Sequence, residues 1–170
     1  KSNEQLLVRI LNRAIHQLME RKVISLFFFV RYRDPEHHLR LRFRGNADKR
    51  FYQEVLQVIH EALRPLIEAG IVHNIQTDSY CREIERYGWN SIELCERLFQ
   101  IDSMETLNFL QAGNTDENER FAFALRKINL ILHRAGCTLF DKHTIMERLK
   151  EGFVTEFNGD IALRKKLNQK

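Results

Sequence analysis

Along the first 22 residues, apolar side chains return every three or four positions. Leu6, Ile10, Ala14 and Leu18 form one row, and Leu7, Leu11 and Ile15 form the row beside it. That period predicts an amphipathic helix over residues 3–22. The period then changes. Ser25 to Arg33 reads as a strand around the continuous apolar run LFFFV, and DPEH supplies turn chemistry. His38 to Arg44 alternates strictly, with Leu39, Leu41 and Phe43 on one face and His38, Arg40, Arg42 and Arg44 on the other. A second amphipathic helix carries Phe51, Val55, Val58, Ile59, Ala62 and Leu66, with Asn46 or Asp48 as its cap and Pro65 in its last turn. After Gly70, IVHNIQTDSY predicts a third strand. SIELCERLFQIDSMETLNFLQ is helical with a break near Asp102–Ser103, and GNTDENE is a polar loop. Helices follow over roughly 117–135 and 140–157, before a basic tail, ALRKKLNQK. The expected fold is α+β: a small sheet with a β-hairpin packed by helices, and a helical C-terminal half, in a single domain over residues 1–170.

The hairpin concentrates charge. With DPEH as a four-residue loop, Tyr32 pairs with Leu39, Val30 with Leu41 and Phe28 with Phe43. The opposite face then holds Arg33 with His38, Arg31 with Arg40, and Phe29 with Arg42. This register satisfies the apolar pattern of both strands. It also makes Arg31 and Arg40 direct neighbours, at a cost of up to about 1 kcal/mol. Three arrangements would relieve that repulsion. One is a solvated face, and another is an internal salt-bridge network with Glu83, Glu85 or Asp78. The third is an anion site in which guanidinium forks grip a carboxylate or phosphate. His38 adds a group able to move protons near neutral pH.

Composition narrows the class. The chain is 44% hydrophobic and 29% charged, as ordinary globular proteins are, and its 7 Gly and 2 Pro leave little room for long loops. A net charge of +4 is too small to argue for nucleic acid. The three cysteines, Cys81, Cys95 and Cys137, form no CxxC pair, so they read as free, mostly buried thiols of a reducing compartment. His37, His60, His73 and His143 show no metal-ligand spacing, and neither a metal nor a cofactor is expected. The apolar run LFFFV is far too short to span a bilayer, and a cytoplasmic protein is expected.

A second cluster, YCREIERYGWNS at residues 80–91, carries Arg82, Glu83, Glu85 and Arg86, followed by a turn at Tyr87–Gly88. Glu83 and Arg86 share a face if the segment is helical, a spacing that usually marks a surface pair. Taken together, FFFVRYRDPEHHLRLRF and DSYCREIERYGWNSIELCERLFQIDS resemble the C-terminal elimination domain of class I lantibiotic dehydratases, a family that includes thiopeptide-type biosynthesis proteins. The family pattern is RYxDPxxHLRLRF, then TYxxExxRYGG, an acidic helix and FxxDS. The match runs from Leu26 to Ser103, with weaker similarity in GFVTEFNGDIALRKKLN. The resemblance implies part of such a domain, which commonly sits behind a larger glutamylating domain.

It also implies a reaction. In the family, Ser and Thr of a ribosomal precursor peptide are esterified with glutamate from glutamyl-tRNA, and the elimination domain expels that glutamate to leave dehydroalanine or dehydrobutyrine. Such a β-elimination needs a base for the α-proton, stabilisation of enolate charge, and help for a departing carboxylate. Arginine suits the last two tasks. By position, Arg40 and Arg42 match the family's functional arginines, and Glu83 and Arg86 match its ExxRYG pair. Arg40, Arg42 and Arg86 are then expected to bind anion and enolate, and Glu83 to orient an arginine or exchange protons. Arg31, His38 and Tyr87 are expected to touch substrate. His133, in ILHRAGCTLF, stands where the first histidine of a family HMHxNRLxG segment falls, although the second histidine and the NR pair are replaced. It is read either as an acid–base group or as an ordinary helix histidine. Gly88–Trp89 replaces the family's GG. The implied partners are the precursor peptide, the glutamylation domain, cyclase or transporter proteins and a second copy of the chain, without direct nucleic-acid contact. Two other functions compete: a non-catalytic peptide- or partner-binding module, and the related cyclase that forms thiopeptide pyridine rings.

Overall fold

A computed structural model describes residues 2–32, 36–45, 50–113 and 116–156. Its elements run α1 (Ser2–Glu20), β1 (Ile24–Tyr32), β2 (His38–Gly45), α2 (Phe51–Glu68), α3 (Ile84–Tyr87), α4 (Ile92–Gln111), α5 (Glu117–Arg134) and α6 (Leu139–Glu156). The fold is α+β with a helical C-terminal half. Contacts divide the chain into two compact units, Lys1–Thr115 and Asp116–Lys170.

The first unit forms because three amphipathic patterns share one core. Leu11, Ile15 and Leu18 of α1 meet Val55, Val58, Ile59, Leu63 and Leu66 of α2, and Ile24 and Phe27 of β1. Burying each such side chain stabilises the unit by about 1.5–3 kcal/mol. Leu39, Leu41 and Phe43 of β2 pack against the same cluster, so the strict alternation of that strand reads as expected.

The hairpin register differs by one residue from the expected one. β1 and β2 pair antiparallel, with Tyr32 opposite His38, Arg31 opposite Leu39, Val30 opposite Arg40, Phe29 opposite Leu41 and Phe28 opposite Arg42. Arg31 and Arg40 are therefore not cross-strand neighbours, and Arg31 shares the face of Leu39 and Leu41. A one-residue slip changes which side chains of β1 accompany the arginines of β2. The cause lies in LFFFV, which has no alternation and offers an apolar residue to either face. Both Phe27 and Phe28 are in fact buried.

Three further expectations are corrected. IVHNIQTDSY is not a strand: residues 72–83 form neither helix nor strand, and the sheet of the described residues has two strands. His73 to Ser79 are all exposed, so the segment has no buried face to reward pairing. α4 runs unbroken through Asp102–Ser103. Ser103 is buried, and its Oγ accepts a hydrogen bond from the Phe29 N–H at 3.1 Å, fastening α4 to β1. Within GNTDENE, Glu117 already begins α5, and the Asp116 carboxylate accepts from the Asn118 and Glu119 N–H groups. Asn46, Asp48 and the tail ALRKKLNQK lie outside the described residues.

In the second unit a reciprocal capping box starts α6. Thr138 N–H donates to Asp141 Oδ2 at 2.8 Å, and Asp141 N–H donates to Thr138 Oγ1 at 3.2 Å. The Thr138 hydroxyl, donating to the same Oδ2 at 2.6 Å, and then the Thr138 N–H hold the Asp141 carboxyl below its ordinary value.

Three helices end in the same double hydrogen bond. After α1, Val23 N–H reaches the Leu18 carbonyl and Lys22 N–H the Met19 carbonyl; Ile71 and Gly70 repeat this after α2, and Cys137 and Gly136 after α5. Gly70 and Gly136 supply the left-handed residue at φ 67° and 78°, but α1 uses Lys22 at φ 56°. A side chain in that region costs about 1–2 kcal/mol, against up to about 1 kcal/mol for the extra chain entropy of glycine. Lys22→Gly should therefore stabilise the first unit by up to about 1 kcal/mol, and Gly70→Ala should destabilise it by about 1 kcal/mol. Urea unfolding followed by circular dichroism checks both signs.

Candidate active site

Because β2 alternates, its core-facing leucines dictate that His38, Arg40, Arg42 and Arg44 point away from the α1–α2 core. Phe28, Val30 and Tyr32 of β1 stand beside them on that outer face. The segment after residue 79 and helix α4 close over its lower half. Phe28 meets the Tyr80 ring edge-on at 5.6 Å and the Phe99 ring at 5.4 Å, and Phe99 meets Tyr87 at 5.4 Å. Each such pair adds about 0.5–1.5 kcal/mol beyond burial. The guanidinium of Arg42 lies over Tyr80 at 5.1 Å, and that of Arg86 over Tyr87 at 5.6 Å. Glu83 pairs with Arg86 at 3.3 Å across the short α3, as their spacing suggests. A relay of four rings thus connects Arg42 with Arg86 and Glu83.

The expected turn at Tyr87–Gly88 is present. Gly88 has φ 78° and ψ 146°, a conformation open to glycine, and the Ser91 hydroxyl donates to the Tyr87 carbonyl. Trp89 follows with 76% of its surface exposed.

A salt-bridge network does hold the site, but with other partners than those anticipated. Glu96 of α4 is only 2% exposed and accepts from Arg82 Nε at 2.9 Å and Nη2 at 2.7 Å. Arg44 Nη1 approaches the same carboxylate at 3.5 Å and Glu93 at 3.4 Å. The hydrogen bond to Glu96 is the main reason that Arg82 is held still further toward its charged form. Arg44 of the first motif and Arg82 of the second are thereby spent on one buried anion. Among the described residues, no carboxylate pairs with Arg40 or Arg42.

At the outer end of the hairpin, the rings of Tyr32 and His38 stack at 5.4 Å. The Arg40 guanidinium lies 4.1 Å over Tyr32, and its Nε donates to His38 Nε2 at 3.2 Å. Since Nε2 accepts, the ring proton sits on Nδ1, 2.8 Å from the Glu36 carbonyl oxygen. Arg31 faces the other side of the hairpin, away from Arg40 and Arg42. His133 occupies the last turn of α5, in the second unit, and is exposed.

Three participants were not singled out from sequence, Tyr80, Glu96 and Phe99, and Arg82 was named in the second cluster without a role. Glu96 inverts the helical pattern, because its neighbours Leu94 and Leu98 are exposed while it is buried. The inward row of α4 is Ile92, Glu96, Ser103 and Leu107. A carboxylate and a hydroxyl in an inward row are the signal that could have exposed this role. Tyr80 is half-buried, and its phenol is held above its ordinary pKa of 10.0, first by burial and then by Glu96 and Glu83, with Arg42 opposing. Among the described residues, no group of His, Cys, Asp and Glu is arranged to hold a metal ion. Cys81 is exposed and Cys95 and Cys137 are half-buried, less sheltered than expected. No helix among the described residues is long and apolar enough to cross a membrane.

The model of the family described as "Lantibiotic biosynthesis dehydratase C-term" matches residues 1–170. The chain belongs to this family. Among curated proteins, this dehydratase C-terminal chain is 47% identical over 138 residues to the subtilin biosynthesis protein SpaB of Bacillus subtilis. It is 32% identical over 93 residues to the nisin biosynthesis protein NisB of Lactococcus lactis subsp. lactis. Those alignments cover 78% and 54% of the chain, but only 13% and 9% of the two relatives. No solved structure matches it significantly.

Two measurements probe this site. Replacing Glu96 by Leu leaves Arg82 facing an apolar side chain, whereas Arg82→Met with Glu96→Leu removes both charges. The single variant should lower the urea midpoint, and the double variant should recover most of the loss. For Tyr80, the raised pKa means that the full stability is present below pH 10.0 and is lost as pH rises through the folded value. Tyr80→Phe should flatten the alkaline limb of a stability–pH curve.

Proposed function

We propose that this outer hairpin face, with the 80–91 segment, carries β-elimination of glutamate from glutamylated Ser or Thr of a ribosomal precursor peptide. The observation that carries the reading is that Arg42, free of any carboxylate partner among the described residues, is joined through Tyr80, Phe28, Phe99 and Tyr87 to the Glu83–Arg86 pair. Membership of the dehydratase family and the relatives' roles in subtilin and nisin biosynthesis support the same chemistry.

In the proposed reaction a base takes the α-proton, and the carbonyl oxygen of that residue gains negative charge. The electron pair then forms the Cα–Cβ double bond as the Cβ–O bond breaks, and glutamate leaves with the bonding pair on its carboxylate. Arg40 and Arg42 supply fixed positive charge to the enolate and the leaving carboxylate, and Arg86, at the other end of the ring relay, adds a third guanidinium. Glu83 orients Arg86 and offers a carboxylate for proton exchange. Arg31 lies on the core-side face, which does not favour a substrate contact for it. The substrate would come from a glutamylating domain of the same dehydratase, and because glutamyl-tRNA and ribosomal peptide are cytoplasmic, so is this reaction.

A second reading, a peptide-binding module without catalysis, is favoured by the exposed Trp89 beside the site, where an aromatic ring can stack on peptide.

The test uses the complete protein that contains this chain, mixed with glutamylated precursor peptide and followed by mass spectrometry. Loss of glutamate with a dehydrated product is expected. Binding without any change of mass would replace the lyase by the binding module. Arg42→Ala is expected to slow elimination by about 10²–10³ and accumulate glutamylated peptide; normal dehydration by this variant removes Arg42 from the site.

A further inference from the structure

Tyr80 joins the two halves of the site. It opens the 80–91 segment, yet its ring is packed by the hairpin: Phe28 of β1 meets it edge-on at 5.6 Å, and Arg42 of β2 lies over it at 5.1 Å. With one ring edge and one face held, the phenol has little freedom, which is what a group acting at a reacting centre requires. Its oxygen is within electrostatic reach of Glu83, Glu96, Arg42 and Tyr87, groups drawn from both motifs and α4. The residue is half-buried, and among the described residues its hydroxyl has no hydrogen-bond partner.

We propose that Tyr80 is a further catalytic residue of the elimination site, its phenol O–H donating a hydrogen bond to the substrate carbonyl oxygen that gains negative charge as the α-proton leaves, beside Arg42. This rests on the elimination reading above. The chemistry suits the position. A guanidinium gives charge and a phenol gives a short, directed O–H bond, and the two together stabilise an enolate better than either does alone. No proton need be transferred from Tyr80, and the α-proton goes to the base. Burial and the carboxylates Glu96 and Glu83 keep the phenol protonated well into alkaline pH, so the donor is present wherever the base is ionised. The ring has a separate task, holding the Arg42 guanidinium in place.

Those two tasks separate cleanly by substitution. Tyr80→Phe keeps the ring and removes the donor, whereas Tyr80→Leu removes both. The complete protein is assayed on glutamylated precursor peptide for kcat and KM, with urea unfolding as a control on folding. Tyr80→Phe is expected to lower kcat by about 10²-fold with KM within about twofold and an unchanged unfolding midpoint at pH 7. In an Arg42→Ala background, the same substitution should cost less than tenfold, because both groups serve one oxygen. Wild-type kcat in Tyr80→Phe, with activity lost in Tyr80→Leu, overturns the donor role and leaves the ring as a support for Arg42. A lower midpoint that accounts for the loss in Tyr80→Phe also overturns it. Failure of the wild-type protein to release glutamate overturns the functional reading and this inference together.

Discussion

A carboxylate almost wholly removed from water must be paired, and the pairing of Glu96 organises the first unit. Its partners come from distant parts of the chain: Arg82 stands 14 positions before it, and Arg44 lies near the end of the second strand of the hairpin. Burying an unpaired anion would cost several kcal/mol. The low-energy arrangement is therefore one in which the 80–91 segment and β2 both meet α4. Ser103, one face-equivalent further along the same helix, binds the Phe29 N–H and fixes the other strand. These two polar residues set where a loosely patterned segment lies against the hairpin, a placement that apolar contact alone would leave loose.

The hairpin then works as a partition. Phe27, Phe29, Leu39, Leu41 and Phe43 face the α1–α2 core, while Phe28, Tyr32, Arg40 and Arg42 face outward. The outward face is built in graded surroundings. Near Tyr80 it is roofed by aromatic rings, which lower the local dielectric and strengthen any charge interaction there. Near Tyr32 it is open, and Arg40 rests on Tyr32 and donates to His38. Both free guanidiniums are supported on aromatic faces without being neutralised. That preserves their charge for a ligand, whereas Arg44 and Arg82 have spent theirs on structure. The repulsion expected between Arg31 and Arg40 is avoided by register, so no anion is needed to relieve it; the case for an anion site rests instead on Arg40 and Arg42 having no carboxylate partner among the described residues.

Much was legible from the residues because it depends on local periodicity. The apolar rows of α1 and α2, the alternation of β2, the Glu83–Arg86 spacing and the helical second half follow from backbone geometry within a few positions. The family resemblance was likewise carried by two contiguous motifs, and the match of the dehydratase C-terminal model over residues 1–170 agrees with it. The strand expected at IVHNIQTDSY failed for a related reason: its local composition was acceptable, but His73 to Ser79 are exposed and have no strand beside them among the described residues.

Side-chain spacing along one strand or helix is enough to specify α1, α2, β2, the helical second half, the α+β class and the arginine-rich face. The register follows from packing between distant elements, because LFFFV satisfies either alternative until α4 and the Tyr80 ring claim Phe28. That packing also decides which arginines are structural and which stay open. That division depends on where Glu96 is buried, and the burial of a helix residue is set by partners far away in the chain.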